Sequence, residues 1–138
     1  YFTVYGPRQR PDMGFHIFIK ALLKGDPIAV LGDGSQTRDF TYVGDIVRAN
    51  LMAAEKPVEG EIFNIGGGSR RSLLDTLKIL ETVSGIQPNL QFRPAEKGDV
   101  KDTWADTGKA KKLLGFEPQT DLPEGLRNQF AWEKPLYS

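Results

Sequence analysis

The sequence predicts an α/β fold. Three observations carry that prediction. Short β-prone runs alternate with stretches of helical apolar spacing. Helix start and stop residues bracket those stretches. Glycine and proline punctuate the chain mostly between them. There is no internal repeat and no low-complexity tract.

The elements follow in order. Tyr1–Tyr5 (YFTVY) has the aromatic and β-branched character of a strand. GPRQRPDMG is a loop, because Pro7 and Pro11 block regular structure. Phe15, Phe18, Ile19, Leu22 and Leu23 repeat at helical spacing, which predicts a helix over 12–24 ended by Gly25. Ile28–Leu31 reads as a short buried strand. Phe40–Val43 is β-prone, and a second helix is expected over 43–54 with Val47, Leu51 and Ala54 facing inward. EIFNIGGG reads as a strand that breaks on three glycines, Gly66–Gly68, expected to allow a positive-φ turn. Ser72 and Asp75 form a capping-box pattern for a third helix with Leu73, Leu77 and Leu80 inside. Leu90 and Phe92 alternate with polar residues as in a half-exposed strand. Asp106 is expected to cap a short helix closed by Gly115, and Trp104 to lie in the core. Asp121 and Glu124 cap the last helix, with Leu122, Leu126 and Phe130 inside.

Composition removes several classes of function. The 138 residues suffice for one domain with a modest core. Lys+Arg and Asp+Glu both number 18, so bulk charge drives this chain toward neither nucleic acid nor a membrane surface. Cysteine is absent, which excludes disulfides, thiolate metal sites and a thiol nucleophile in this chain and fits a cytoplasmic location. His16 is the single histidine, which argues against a multi-histidine metal site. No apolar run approaches the length of a membrane span. The chain starts at Tyr1 inside strand-like sequence, so a segment cut from something longer is expected.

Two motif searches are negative. GDGSQT (Gly32–Thr37) and GGGSRR (Gly66–Arg71) match neither the dinucleotide fingerprint nor a P-loop. No tyrosine is followed four residues later by lysine: Tyr1 leads to Tyr5, Tyr5 to Gln9 and Tyr42 to Ile46. A tyrosine–lysine acid/base pair is absent from this chain.

Arg38 sits between a glycine-rich loop and a strand-helix unit. A guanidinium there presents a planar, permanently charged fork that suits phosphate oxygens. The bland alternative is a surface arginine paired with Asp33 or Asp39.

YFTVYGPRQRPDM, GDGSQTRDFTYVGDIV, FNIGGG and GDVKDTWADTGKAKKLLGFEP occur in this order in extended short-chain dehydrogenase/reductases. Within them the chain resembles the NAD-dependent nucleotide-sugar 4-epimerases and their dehydratase relatives. The resemblance runs from Tyr1 to about Trp132. In the family these motifs follow the glycine-rich cofactor loop and the catalytic tyrosine–lysine pair. The resemblance therefore implies that residues 1–138 are the carboxy-terminal, substrate-binding portion of an extended Rossmann-type enzyme, with the cofactor-binding part absent from this chain and no catalytic residue within it. It implies NAD as cofactor, a UDP-sugar as substrate, no metal, and a homodimer for the full-length enzyme. The family reaction oxidises the sugar at C4 onto NAD, lets the 4-keto sugar turn, and returns hydride to its other face.

The resemblance also implies site residues. Arg38 matches the arginine that contacts the sugar-nucleotide diphosphate. Asp99 matches an acid that binds the ribose, a task suited to a carboxylate facing a diol; a turn-forming Gly-Asp is the alternative. Ala29, Val30 and Leu31 match the segment facing the uracil, and plain strand core is compatible with that role. FTVYGP with RPDM resembles UDP-glucuronate 4-epimerases, in which Thr3 and Arg10 would hold the sugar carboxylate; epimerases of uncharged sugars share the same stretch. Tyr1 matches a residue near the nicotinamide. Gly44 departs from the family, where an aspartate is usual; a small stability loss is expected and no change of chemistry.

Overall fold

The computed structural model describes residues 1–68, 70–95, 98 and 100–137. Three two-stranded sheets and five helices make up the described chain. β1 (Val4–Tyr5) pairs in parallel with β4 (Thr41–Tyr42), and β2 (Ile28–Leu31) in parallel with β6 (Leu90–Arg93). β3 (Thr37–Asp39) runs antiparallel to β5 (Arg70–Ser72). The helices are α1 (Gly14–Lys24), α2 (Val43–Glu55), α3 (Leu73–Ser84), α4 (Gly108–Leu114) and α5 (Leu122–Tyr137).

Two apolar clusters hold these pieces. The larger gathers Tyr5, Phe15, Ile19, Leu22, Ile28, Val30, Leu77, Leu80, Leu122 and Leu126, so α1, α3 and α5 close over β1 and β2. The second gathers Ile46, Ala49, Ile65, Ala110, Leu114 and Phe116 between α2, α4 and the chain after residue 62. Burial of one such side chain is worth about 1.5–3 kcal/mol.

Most predicted elements are present, with boundaries adjusted by caps. α1 starts at Gly14 rather than residue 12 and ends on Gly25, whose φ of 71° is left-handed. Ser72 caps α3, its hydroxyl accepting from Asp75 N–H, and Asp121 Oδ1 accepts from Glu124 N–H at the start of α5. The strand expected around Leu90 and Phe92 is present as β6, but it is more exposed than the alternation predicts: Leu90 is half-buried and Phe92 is 59% exposed.

Other expectations fail for identifiable reasons. The first strand shrinks to Val4–Tyr5, because Phe2 N–H bonds irregularly to Ile65 O instead of extending a ladder. Residues 61–67 consequently form no assigned strand. The inward face of α2 is Asp45, Ile46 and Ala49; Val47, Leu51 and Ala54 face outward. The apolar arc of that helix is wide, with Val43, Ile46, Val47, Ala49, Leu51, Ala53 and Ala54 spread over more than half of it, so spacing alone does not fix which part turns inward. Asp45 decides it: the buried carboxylate accepts from Gln119 and Thr120 N–H and from Arg48.

Asp106 stands one residue too early to cap α4; Thr107 is the N-cap, and Asp106 Oδ1 accepts from Gly108 N–H. Trp104 is 69% exposed, because strand-like alternation turns Ala105 inward instead. Gly44 is the second helical residue of α2, with Tyr42 at the N-cap. Of the three glycines at 66–68, only Gly68 has positive φ. Gly66 and Gly67 are required by close approach: a Cβ on Gly67 would collide with Phe40 O, and one on Gly66 with Ala105 and Asp39.

Candidate functional site

Arg38 lies at the middle of β3, opposite Arg71 of β5. Side chains alternate along a strand, so Asp39 turns inward and Arg38 away from it. Asp39 is fully buried and accepts from Gly67 N–H at 2.7 Å and Ala105 N–H at 3.1 Å. It thereby pins the glycine turn and the 104–106 segment to the strand carrying the arginine. Arg38 Nη1 donates to Thr37 O at 2.8 Å and Lys101 O at 3.3 Å. Thr37 itself is tied to the 101–103 segment by backbone bonds to Lys101 and Thr103 and by a short bond from its hydroxyl to Asp102. The guanidinium is therefore held on a braced strand, half-buried.

Next to it lies a cavity of about 420 Å³ lined by Leu31, Gly32, Asp33, Ser35, Gln36, Ala95 and Lys101. Gln36 Nε2 donates to Leu31 O at 3.2 Å, which joins the end of β2 to the start of β3. Lys101 belongs to both, lining the cavity and accepting from Arg38. The structure thus brings Leu31 and Arg38 to one region. Val30 is buried, with its side chain in the core, so only its backbone is available; Ala29 is exposed and Leu31 half-buried. Asp33 accepts from Ser35 N–H, and its bonds to Ser35 hold its carboxyl below the usual carboxylate range. Asp99 lies outside the described residues.

A second cavity, about 400 Å³, is lined by the 4–10 segment, Met13 and Val43. Arg10 is on its rim, exposed, and makes a two-point contact with Asp12: Nε to Oδ1 at 3.1 Å and Nη2 to Oδ2 at 2.9 Å. A guanidinium already presenting its fork to a carboxylate has the geometry to take another one. Thr3 is half-buried one residue before Val4, and its carbonyl accepts from Thr41 N–H. Arg8 occupies this loop in a left-handed conformation, φ 68°, uncommon for a side chain of its size.

Tyr1 is exposed, and its hydroxyl donates to Asn50 Oδ1 at 2.7 Å. In the glycine run Gly66–Gly68, Gly66 and Gly67 are packed against Ala105, Asp39 and Phe40 O, and Gly67 N–H is spent on the Asp39 carboxylate, so this turn does not offer its amides to a pyrophosphate. Among the described residues no group of three or more His, Asp or Glu is placed to hold a metal ion, and no helix is long and apolar enough to cross a membrane.

The NAD dependent epimerase/dehydratase family matches residues 1–66. A Thermodesulfobacterium geofontis protein named UDP-glucuronate 4-epimerase is 47% identical over 135 residues, 97% of this chain and 42% of the relative. This chain is similar to that relative over nearly all of its own length. A second relative, an uncharacterized UDP-glucose epimerase of Bacillus subtilis, is 46% identical over 99% of this chain and 44% of its own length. Among solved structures, the family's UDP-glucuronic acid 4-epimerase from Bacillus cereus, in complex with UDP-glucuronic acid and NAD, superposes with a TM-score of 0.94 at 46% identity. The match covers 99% of this chain and 44% of that one. The chain thus spans less than half the length of the relatives it matches, and its α/β fold is shared with that part of the extended family members.

The residues that sequence reasoning missed are polar and buried: Asp39, Asp45, Gln129 and Glu133. A signal for the last two exists. Leu122, Leu126, Gln129 and Glu133 continue one helical stripe, so two polar residues occupy positions where apolar ones are expected.

Proposed function

We propose that residues 1–138 are the nucleotide-sugar-binding region of an NAD-dependent UDP-sugar 4-epimerase, acting first on UDP-glucuronate and second on UDP-glucose or galactose. The observation that carries this reading is the 4–10 loop, whose Arg10 lines a cavity together with Val4, the residue after Thr3. Its support is the match over nearly the whole chain to a protein solved with UDP-glucuronic acid. Arg38, braced on β3 next to the Leu31 cavity, takes the diphosphate. Ala29, the Val30 backbone and Leu31 face the base, and Asp99 the ribose. Thr3 and Arg10 clamp the sugar carboxylate, Arg10 exchanging Asp12 for the substrate.

These roles divide the labour sensibly. An epimerase must hold the nucleotide firmly while the sugar turns. Strand-borne Arg38 supplies the firm grip, and the loop-borne clamp reads the sugar. NAD is held mainly by residues other than these, with Tyr1 at most a flanking contact, and the full enzyme works as a homodimer. A decarboxylase is the second reading: a Bacillus cytotoxicus protein named UDP-N-acetyl-alpha-D-glucosaminuronate decarboxylase is 34% identical over 99% of this chain.

Arg10→Ala in the full protein tests the clamp. It impairs UDP-glucuronate by roughly tenfold or more, about one charge-assisted contact of 1.5–3 kcal/mol, and UDP-glucose far less. Equal losses on both sugars would show that the loop does not read the acid.

A further inference from the structure

A connected set of buried polar side chains lies behind the arginine-bearing loop. Gln129 and Glu133 are both fully buried in α5, one turn apart. Every polar atom of the Gln129 side chain is engaged. Its Oε1 accepts from Gly6 N–H at 2.8 Å; its Nε2 donates to Gln9 Oε1 at 2.9 Å and to Glu133 Oε1 at 2.8 Å. Gln9 carries the grip onward. Its Oε1 also accepts from His16 N–H at 3.0 Å, its Nε2 donates to Val4 O at 3.1 Å, and its carbonyl meets His16 Nδ1 at 3.1 Å. A carbonyl only accepts, so His16 Nδ1 is the donor to Gln9 O, and His16 Nε2 lies 2.6 Å from Tyr137 Oη.

The loop these residues hold, 6–10, lines the 400 Å³ cavity and carries Arg8 and Arg10. It is not a relaxed turn, since Arg8 is left-handed and Gly6 has a φ of 134° with Val43 where a Cβ would stand. Such backbone persists only where surrounding contacts over-determine it. Burying His16, Gln129 and Glu133, with Gln9 and Tyr137 half-buried beside them, merely to join α1 and α5 would be a costly design, because apolar residues would do that at least as well. The bonds instead converge on Val4, Gly6 and Gln9, the backbone that sets where Arg10 emerges.

We propose that Gln129 and Glu133 are positioning residues for the sugar-reading loop, fixing through Gln9 and His16 the site from which Arg10 engages the substrate carboxylate. The inference rests on the proposed role of Arg10. Glu133 makes the hold sensitive to proton concentration. Its Oε2 is buried with no hydrogen-bond partner among the described residues, and its Oε1 lies 3.5 Å from His16 Nδ1. Burial pushes its carboxyl up to about 7, against a smaller lowering by the bond from Gln129. The titratable and charged groups around it are His16 from α1, Tyr137 one turn on in α5, and exposed Lys134 beside it in α5. Beyond Tyr137 stand the α1 ammonium groups of Lys20 and Lys24, 5.6 and 5.8 Å from its ring centre. On the loop side the network continues through the uncharged Gln9, which bonds Gln129. Ionisation at higher pH puts negative charge on the buried, unpartnered Oε2, a desolvation cost that the Gln129 bond at Oε1 offsets only in part, and so loosens the network.

The test is calorimetry of UDP-glucuronate and UDP-glucose with the full protein, its Gln129→Met and its Glu133→Gln variants, between about pH 5.5 and 8.5. Gln129→Met is expected to weaken UDP-glucuronate roughly tenfold and UDP-glucose by less than about twofold. The parent's affinity for UDP-glucuronate falls as pH rises through about 7, and Glu133→Gln, a neutral isostere that folds without the titration, keeps the low-pH affinity throughout. Gln129→Met losing both sugars equally, or neither, or Glu133→Gln keeping the parent's pH slope, overturns the positioning role while Arg10→Ala can still discriminate. If Arg10→Ala does not discriminate, the carboxylate reading fails separately. Amide exchange at Gly6 and Gln9 then decides: faster exchange in Gln129→Met sustains the positioning role, and unchanged exchange ends it.

Discussion

At the scale of single residues, the difference between Arg38 and Arg10 is one of support. Arg38 is held by carbonyls on a strand that buried Asp39 locks to two other segments. Its Cα is fixed before any ligand arrives, so less entropy is lost on binding. Arg38→Ala in the full protein is therefore expected to weaken binding of UDP alone by roughly ten- to a hundredfold, since a charge-assisted bond is worth about 1.5–3 kcal/mol. Lysine restores part of this, keeping the charge and losing the planar fork. Calorimetry with UDP reads the effect without sugar or chemistry. An alanine variant that binds UDP like its parent would make Arg38 a structural residue that satisfies Thr37 and Lys101 carbonyls.

At the scale of elements, the parts of the fold legible in the sequence are those written in local chemistry. Gly25, Ser72, Gly115 and Asp121 mark helix ends because caps act within a turn. Ile28–Leu31 was legible because a short apolar run between turn residues has few other uses. The orientation of α2 was not, because its anchor is Asp45 bonding to residues more than seventy positions away. The glycine run was legible as a break and misjudged in cause, because close approach of Phe40 is a tertiary fact. In the candidate site, Arg38 and Arg10 could be named from motif and charge. The Gln129–Glu133 support could not, because it is defined by what α5 packs against. The glycine argument separates two costs. Gly67→Ala meets a backbone oxygen that cannot yield, and is expected to destabilise by about 3 kcal/mol, the upper end for overpacking. Gly60→Ala has φ 76° with nothing within 4 Å, so only the left-handed backbone is penalised, by about 1 kcal/mol. Urea midpoints at constant slope compare the two, and equal shifts would contradict the close-approach account.

At the scale of the whole molecule, the proposed reading gives this chain binding and leaves the chemistry elsewhere. The cavity beside Leu31 and the cavity under the 4–10 loop hold the residues proposed to grip a UDP-sugar. The sequence carries neither the dinucleotide glycine fingerprint nor a tyrosine–lysine pair, and the Gly66–Gly67 turn is packed against Asp39, Ala105 and Phe40. The outward face of α2 points the same way. Val47 and Leu51 are 54% and 59% exposed on a helix whose other face is packed, an apolar surface of the kind that a further domain covers. The 138-residue chain supplied alone with NAD and UDP-glucuronate is therefore expected to show no epimerisation, while calorimetry still registers UDP, with binding lost in Arg38→Ala. The pairing of assays matters, because an unfolded chain would fail both, whereas a folded binding region fails only the first. Chromatographic detection of UDP-galacturonate formed by this chain would mean that it carries acid/base and hydride-accepting groups, and would overturn the division of labour.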